Sequence, residues 1–237
     1  MTAPTLPDVA KAEIAIVEMT NDFRAKYKLG AVKPDAKLAN AARAFAAHLA
    51  RTGTFAHEAD GREPSQRAAN AGYAYCFIAE NLALNQSSAG FETRDLARQM
   101  VEGWINSPGH RKNLLAEHAT DTAVAIARGP ERDPKFIAVQ LFGRPKSLAY
   151  EFQISNSTGG PIRYSFGGKA HDLKPGVAAM HTACTPDEVA FEGAAGPGGA
   201  TSKSAGARYL ARDGQIFVLE KAAGGYRVDI RQKERIR

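Results

Sequence analysis

The chain has 237 residues, of which 44% are hydrophobic and 24% are charged, and its formal net charge at pH 7 is +6. This is the composition of an ordinary globular protein that is long enough for two domains with buried cores. The positive charge is mild and no aromatic-rich basic module accompanies it, so nucleic-acid binding is not expected. No segment approaches the roughly 20 consecutive apolar residues that cross a bilayer, so no transmembrane segment is expected either.

Two amphipathic helices are predicted at the start of the chain. Apolar side chains recur at intervals of three and four residues from Ile16 to Tyr27, which places them on one helix face, and Asp8 is a credible N-cap. A second helix is predicted over residues 34–53, because its alanine content favours helix and Gly53 can end it. Both apolar faces are expected to pack on a core.

Two further helices are predicted in the next fifty residues. Residues 64–72 form a short one, because Pro64 suits the first helical position. Arg67 in this helix could neutralise a carboxylate, although a solvated surface position is expected for it. Residues 93–104 form a longer helix whose inner face ends in Trp104, the only tryptophan, which is expected to be buried.

Three residues with metal-ligand or acid–base chemistry lie near the ends of these elements. His57 lies in an irregular segment after the second helix, and Glu80 follows the apolar residues 76–79. His110 follows Ser107-Pro108-Gly109, which is typical of a type II turn and would direct His110 away from the helix axis. Imidazole and carboxylate groups are what a divalent metal or an acid–base pair requires. The alternatives are that His57 is a solvated loop residue and that Glu80, expected to be partly buried and paired, braces a neighbouring loop.

The two cysteines, Cys76 and Cys184, fit neither a disulfide framework nor a CxxC metal site. A buried, inert thiol is favoured for each of them. The alternatives are a metal thiolate at Cys76, which lies close to Glu80 in the sequence, and a disulfide between the two cysteines.

Strands are predicted in the second half of the chain. The apolar runs 122–127 and 136–142 are joined by a turn-rich segment and predict an antiparallel hairpin. Helices packed on a small sheet predict an α/β fold, an α-β-α sandwich over residues 8–145. The family of the region that follows is not recognised.

An all-β domain is predicted over residues 146–237. Beyond residues 144–146 the apolar spacing changes from 3.6 residues to 2, which is typical of strands. Asp213-Gly214 predicts a hairpin turn between Leu210 and Ile216. The glycine-rich residues 193–206 have the composition of a flexible loop.

Three ordered motifs resemble the CAP superfamily, which groups cysteine-rich secretory proteins, antigen 5 and pathogenesis-related 1 proteins and is also called the SCP domain. They are FAHEADG around His57, AENLA around Glu80 and WINSPGHRKN around His110. The resemblance spans residues 8–145 and is closest to the bacterial branch. The family cavity holds two histidines and two glutamates, and this chain matches three of those positions. The second glutamate of the eukaryotic members follows the tryptophan and is missing after Trp104, so Glu102 is the candidate substitute.

The resemblance implies an exported bacterial binding module. Its cavity would hold a divalent metal such as zinc through His57 and His110, with Glu80 as a further ligand, or a small apolar, lipid or peptide ligand in the adjacent groove. The start of the chain, MTAPTLPDVAK, lacks the hydrophobic region of a signal peptide, so either the protein is cytosolic or its signal has been removed. The resemblance favours an exported protein that acts outside the cytoplasm and whose signal has been removed.

Two other functions are compatible with the sequence. One is a metal-assisted hydrolase of the peptidase type, with Glu80 as general base for a metal-bound water. The sequence leans against it, because a Glu80 used as ligand leaves no clear base, and there is neither an HExxH motif nor a nucleophile elbow. The other is a cell-envelope interaction protein that acts through its β-domain.

Overall fold

The computed structural model describes residues 3–194 and 206–233. The chain forms two compact units, Met1–Leu148 and Ala149–Arg237. The boundary follows Leu148, just beyond the change of spacing at residues 144–146. Those residues still belong to the first unit, because Arg144 pairs with a neighbouring strand at Phe77.

Five helices lie among the described residues of the first unit. They are α1 (Val9–Lys26), α2 (Ala36–Thr52), α3 (Pro64–Asn70), α4 (Thr93–Asn106) and α5 (Pro108–Leu114), followed by a 3-10 turn at Lys146–Leu148. Asp8 caps α1 by accepting a hydrogen bond from the Lys11 amide at 3.1 Å, and Gly53 ends α2 in the left-handed conformation with φ of 72°. The first four helices are therefore confirmed, with small differences at their ends.

The helix α5 corrects the turn predicted at residues 107–109. Pro108 occupies the first helical position, where its missing N–H costs nothing, and the Arg111 amide donates to the Ser107 carbonyl at 2.8 Å. Only Ser107 separates α4 from α5. His110 is consequently a residue of the first turn of a helix rather than of a loop.

A four-stranded sheet lies between the helices, in the order β1-β3-β4-β2. Its strands are β1 (Lys33–Pro34), β2 (Tyr75–Gln86), β3 (Asp121–Arg128) and β4 (Lys135–Pro145). The predicted antiparallel hairpin is confirmed as β3 and β4. The strand β2 was not predicted; it pairs antiparallel with β4 along its length and lies at the edge of the sheet.

Helices cover both faces of this sheet. Alternate residues of β4 point to opposite sides, so that Phe136 packs with Ile16 and Trp104 of one core, while Ile137 packs with Leu38 of the other. The first core contains residues of α1 and α4, and the second contains residues of α2 and α3. The unit is therefore the α-β-α sandwich that the sequence predicted.

The second unit is all-β over the residues that the structure describes. Its strands are β5 (Tyr150–Ser157), β6 (Ile162–Phe166), β7 (Lys169–Leu173), β8 (Ala178–Ala183), β9 (Glu188–Phe191), β10 (Ala207–Leu210), β11 (Gln215–Ala222) and β12 (Gly225–Gln232). They form two four-stranded sheets, β10-β9-β6-β7 and β12-β11-β5-β8, which share a core that includes Phe152, Val189 and Phe217. The smaller all-β domain is confirmed.

Two details of this unit differ from the sequence-based interpretation. Asp213-Gly214 is not a hairpin turn, because β10 pairs with β9 in one sheet whereas β11 pairs with β5 and β12 in the other. Gly214 does take the left-handed conformation, with φ of 73°, at a connection between sheets. Most of the predicted loop 193–206 lies outside the described residues.

Cys76 and Cys184 are both disulfide-bonded. The favoured interpretation of two inert thiols is therefore wrong, as is a metal thiolate at Cys76. The spacing of cysteines along a chain carries no information about the distance between their side chains, which decides whether a bond can form. No helix among the described residues is long and apolar enough to cross a membrane.

Candidate functional site

His57 lies in the turn between α2 and α3 and contacts Glu80 directly. Its Nδ1 lies 2.8 Å from Glu80 Oε1. An ionised carboxylate only accepts hydrogen bonds, so the proton of this bond belongs to Nδ1. A neutral His57 ring therefore carries its lone pair on Nε2. The side chain is 49% exposed, which leaves that nitrogen within reach of a ligand.

Glu80 is a buried carboxylate in the middle of β2. Its side chain is only 1% exposed, and Arg67 Nη2 donates to both of its oxygens, at 3.0 Å to Oε1 and 2.8 Å to Oε2. A buried carboxylate requires such compensation, because burial in a medium of low polarity disfavours an unpaired charge. The expectation of a buried and paired Glu80 is thus met by Arg67 and His57 together.

Arg67 holds the segment that carries His57. Its Nη1 donates to Asp60 Oδ1 at 2.8 Å and to the Arg62 carbonyl at 2.7 Å, and its Nη2 donates to the His57 carbonyl at 2.9 Å. The guanidinium also lies over the Phe45 ring, 3.5 Å from the ring centroid. The side chain is 5% exposed, so the expected surface position of Arg67 is wrong.

His110 is positioned through the next residue of β2. Asn81, which is fully buried, donates from Nδ2 to the His110 carbonyl at 3.1 Å. Asn113 Nδ2 donates in turn to Asn81 Oδ1 at 2.9 Å and to the Glu80 carbonyl at 3.0 Å. Because successive strand residues point to opposite faces, Glu80 reaches α3 while Asn81 reaches α5. Two adjacent residues of an edge strand therefore fix both histidine-bearing segments.

The two imidazoles have opposite electrostatic environments. The hydrogen bond to Glu80 raises the pKa of His57 above its ordinary value, against the opposing effect of burial. Burial lowers the pKa of His110, and a positive charge on His57 lowers it further. This interaction places the two rings within electrostatic range of each other. The surroundings therefore shift the two histidine pKa values in opposite directions.

His110 also lines an apolar cavity of about 360 Å³. Its walls include Phe55, Leu84, Met100 and Trp104. Trp104 is 1% exposed, as predicted, and its indole N–H donates to the carbonyl of a β2 residue at 2.8 Å. Phe55 and Leu84, in contrast, are 45% and 41% exposed. The cavity is therefore an open groove with a buried floor and partly solvated apolar walls.

Glu102 lies elsewhere. Its side chain is 55% exposed and pairs with Arg98, one helical turn earlier, at 3.7 Å. It does not line the groove that His110 borders. Within the described parts of the chain, no group of three or more histidine, cysteine, aspartate or glutamate side chains is spaced to hold a metal ion. The structure thus brings His57 together with Glu80 and does not add Glu102 to them.

The sequence did not indicate the role of Asn113, and it gave neutralisation of a carboxylate by Arg67 only as the alternative to the expected surface position. Asn113 lies three positions after His110 in α5, a spacing that places both on one side of a helix. That signal is visible only once α5 is known to be a helix. Arg67 lies beside the buried Ala68 in α3, but nothing local distinguishes it from a solvated arginine.

The comparisons with known proteins point to one family. The sequence model of the cysteine-rich secretory protein family, CAP, matches residues 17–142. The uncharacterized protein YkwD of Bacillus subtilis (strain 168) is 30% identical over 117 residues, which are 49% of this chain and 42% of that protein. The chain therefore spans less than half the length of this relative.

Solved structures resemble the first unit. An outer surface protein from Borrelia burgdorferi matches with a TM-score of 0.50 and 22% identity, over 59% of this chain and 96% of that one. An extracellular protein with an SCP domain from Bacillus anthracis str. Ames matches with a TM-score of 0.45 and 24% identity, over 57% of this chain and 41% of that one. The first of these similarities supports the sandwich fold.

Proposed function

The chain belongs to the CAP family of cysteine-rich secretory proteins, and from that premise we propose that its first unit is a binding module in which His57 and His110 hold a divalent metal ion such as zinc beside an apolar groove. The observation that carries the proposal is the bond between His57 Nδ1 and the buried Glu80. A histidine that ligates a metal usually donates its other ring N–H to a carboxylate or carbonyl, which fixes the tautomer and the ring orientation.

Glu80 does not fit the role of a metal ligand. Arg67 contacts both of its oxygens, and the side chain is almost fully buried. A cation bound to this carboxylate would have to displace the guanidinium or lie beside its positive charge. In our proposal Glu80 orients His57, and the two imidazoles are the only protein ligands, so water or a bound ligand completes the coordination.

His110 suits the same proposal. A ligating imidazole must be neutral. The lowered pKa of His110 favours that form, whereas His57, whose pKa is raised, must give up its proton when the ion binds. When bound, a divalent ion would act as a Lewis acid toward an oxygen of the groove's ligand. The residues of the chain would hold that ligand's apolar part against Phe55, Leu84 and Met100.

The hydrolase is the weaker candidate. A general base must be within hydrogen-bond reach of the proton that it removes. Glu80 is buried and held by Arg67 and His57, so it does not offer a free oxygen to a water in the groove. We therefore favour binding over catalysis.

We also propose that the protein acts outside the cytoplasm. Disulfides persist in oxidising compartments, and both Cys76 and Cys184 are disulfide-bonded. The name of the family and that of the outer surface protein from Borrelia burgdorferi agree with this location. A cell-envelope partner of the all-β unit stays a prediction.

Elemental analysis tests the metal proposal. The protein should be purified without chelator and without affinity histidines, alongside His57→Ala and, as a control, His118→Ala. We expect a divalent metal in the wild type and in His118→Ala, and its loss in His57→Ala. A metal content that is unchanged by His57→Ala, or that is absent even after incubation with zinc, would refute the proposal.

A further inference from the structure

A second cavity lies on the other side of Arg67. Its volume is about 440 Å³, and it is formed by α2, α3 and the segment that joins them. Its floor and walls include Ala41, Ala44, Ala47 and the ring of Phe45. None of these side chains lines the groove at His110. The cavity is therefore a separate feature with an apolar interior.

One of the residues that line this cavity has a buried hydrogen-bond donor without a partner. Arg67 lines it, and its Nε is buried without an acceptor among the described residues. The terminal nitrogens of the same guanidinium are fully engaged with Glu80, Asp60 and backbone carbonyls. A buried polar group without a partner is uncommon in proteins and calls for an explanation, such as a water molecule or a ligand.

The charges around the cavity favour an anion. Arg51, Arg62 and Arg67 all line it, whereas Asp60 is its only acidic lining residue. With Glu80, which Arg67 contacts from its other side, three guanidinium groups face two carboxylates. One positive charge is in excess. Arg51 carries it, because no carboxylate within 4.0 Å of its guanidinium occurs among the described residues.

We propose that this cavity binds a small organic carboxylate. Arg67 Nε and the Phe45 ring are buried in the free protein, so the side chains that cover them would shift on binding. The carboxylate would then accept a hydrogen bond from Arg67 Nε and pair with Arg51 at the rim, and the apolar body would lie against Phe45 and the alanines of α2. Charge-assisted hydrogen bonds to arginine are among the stronger polar contacts in proteins, and an aromatic or aliphatic body suits the apolar wall. The proposal does not depend on metal binding at His57 and His110.

The matched probes are benzoate, benzyl alcohol and acetate. Benzoate has both the charge and the apolar body, benzyl alcohol has only the body, and acetate has the charge with almost none of the body. The Arg67 Nε–H group gives its own cross-peak in a proton–nitrogen correlation spectrum. We expect benzoate to shift this peak in a saturable way at millimolar concentration, and the other two probes to bind at least tenfold more weakly.

Three surface variants assign the site. Arg51→Gln removes the rim charge and should weaken benzoate binding about tenfold, which corresponds to about 1.4 kcal/mol. Ala44→Phe fills the cavity from an exposed helix position and should abolish binding. The control is Arg94→Gln, an exposed arginine of α4 outside the cavity, which should bind benzoate as the wild type does.

Two results would overturn the proposal. One is an Arg67 Nε–H peak that benzoate leaves in place, which would mean that water alone satisfies this donor. The other is a benzoate shift that survives both Arg51→Gln and Ala44→Phe, which would place the binding elsewhere. The metal content at His57 and His110 is measured separately, so failure here leaves the proposed function intact.

Discussion

The carboxylate of Glu80 connects two segments that are distant in the sequence. It accepts from His57, which comes from the turn after α2, and from Arg67, which comes from α3. Arg67 also binds the backbone of the His57 segment, so the three side chains restrain one another. Such a network is stable only when every member is satisfied, because a buried charge without its partner is costly.

Removing the carboxylate should therefore be costly. We expect Glu80→Ala to lower the free energy of unfolding by about 3–5 kcal/mol, the usual loss when one partner of a buried ion pair is removed. Denaturant unfolding followed by the fluorescence of Trp104, the only tryptophan, reports on the first unit. Glu102→Ala is the matched control, since its exposed pair with Arg98 is screened by solvent and should contribute little. Equal, small losses in both variants would contradict the network.

The two histidines should titrate on opposite sides of the ordinary value. NMR titration of the metal-free protein should give a pKa above 6.5 for His57 and below 6.5 for His110. Glu80→Gln should lower the pKa of His57, because a neutral amide no longer favours the imidazolium, whereas Glu102→Gln should not change it. Identical His57 titrations in wild type and Glu80→Gln would disprove the assigned cause.

These shifts have opposite effects on stability. The raised pKa of His57 contributes stability that is fully present below pH 6.5 and is lost as the pH rises through its folded-state pKa. The lowered pKa of His110 has the opposite effect. Its stability contribution is lost as the pH falls below 6.5 and through the folded-state pKa, because burial makes protonation of His110 less favourable in the folded state than in the unfolded state. The two contributions partly cancel under mildly acidic conditions.

At the level of residues, the sequence predicted the acid better than its partners. Apolar neighbours on both sides of Glu80 correctly indicated a buried and paired carboxylate. The identity of the partner depends on the register between β2 and α3, which no local pattern reveals. The position of Glu102 was equally hard to predict. It is close to Trp104 in the sequence, but its side chain lies on the exposed side of α4.

Among the elements, α4 positions the groove and α5. Its inner face is buried in the core with α1. Trp104, at the end of that face, donates a hydrogen bond from its indole N–H to the Leu82 carbonyl of β2. Only one residue then separates α4 from α5, so the direction of α4 fixes the start of the helix that carries His110.

Truncation of Trp104 should reveal this role. Trp104→Ala should lower the free energy of unfolding by about 3–5 kcal/mol, as expected for a large aromatic side chain in a core. Because the fluorophore is lost, unfolding is followed by far-ultraviolet circular dichroism. Phe55→Ala, an aromatic truncation at a 45% exposed position, should cost much less. A loss below about 1 kcal/mol for Trp104→Ala would mean that α4 does not anchor the groove.

Elements with strong local signals were predictable, and those that depend on distant pairing were not. Caps at Asp8 and Gly53 and the regular spacing of apolar residues identified the helices. The strand β2 contains Glu80 and Asn81, residue types that are rare in strands, and forms because β4 pairs with it. The helix α5 was mistaken for a turn, because Pro108 and Gly109 favour turns and first helical positions alike.

For the whole molecule, the position of the unit boundary makes a prediction about proteolysis. Trypsin does not cut Arg144, because Pro145 follows it, so Lys146 is the informative site. Its backbone amide donates to the Ala74 carbonyl at 2.8 Å, so trypsin should not cut first at Lys146. From the glycine-rich sequence alone, we expect the first cut within residues 193–206, at Lys203. Mass spectrometry of the earliest fragments identifies the site of the first cut. An initial cut at Lys146 would contradict the assignment of this residue to the folded first unit.

The central claim is that His57 and His110 bind one metal ion together, and calorimetric titration with zinc tests it most directly. The wild type, His57→Ala, His110→Ala and the double variant are compared, with His118→Ala as control. We predict that each single variant loses zinc affinity by about a hundredfold or more, that the double variant loses no more than either single one, and that Glu80→Gln loses about 10- to 100-fold as an orienting residue. Wild-type affinity in either His57→Ala or His110→Ala would show that the two histidines do not share an ion.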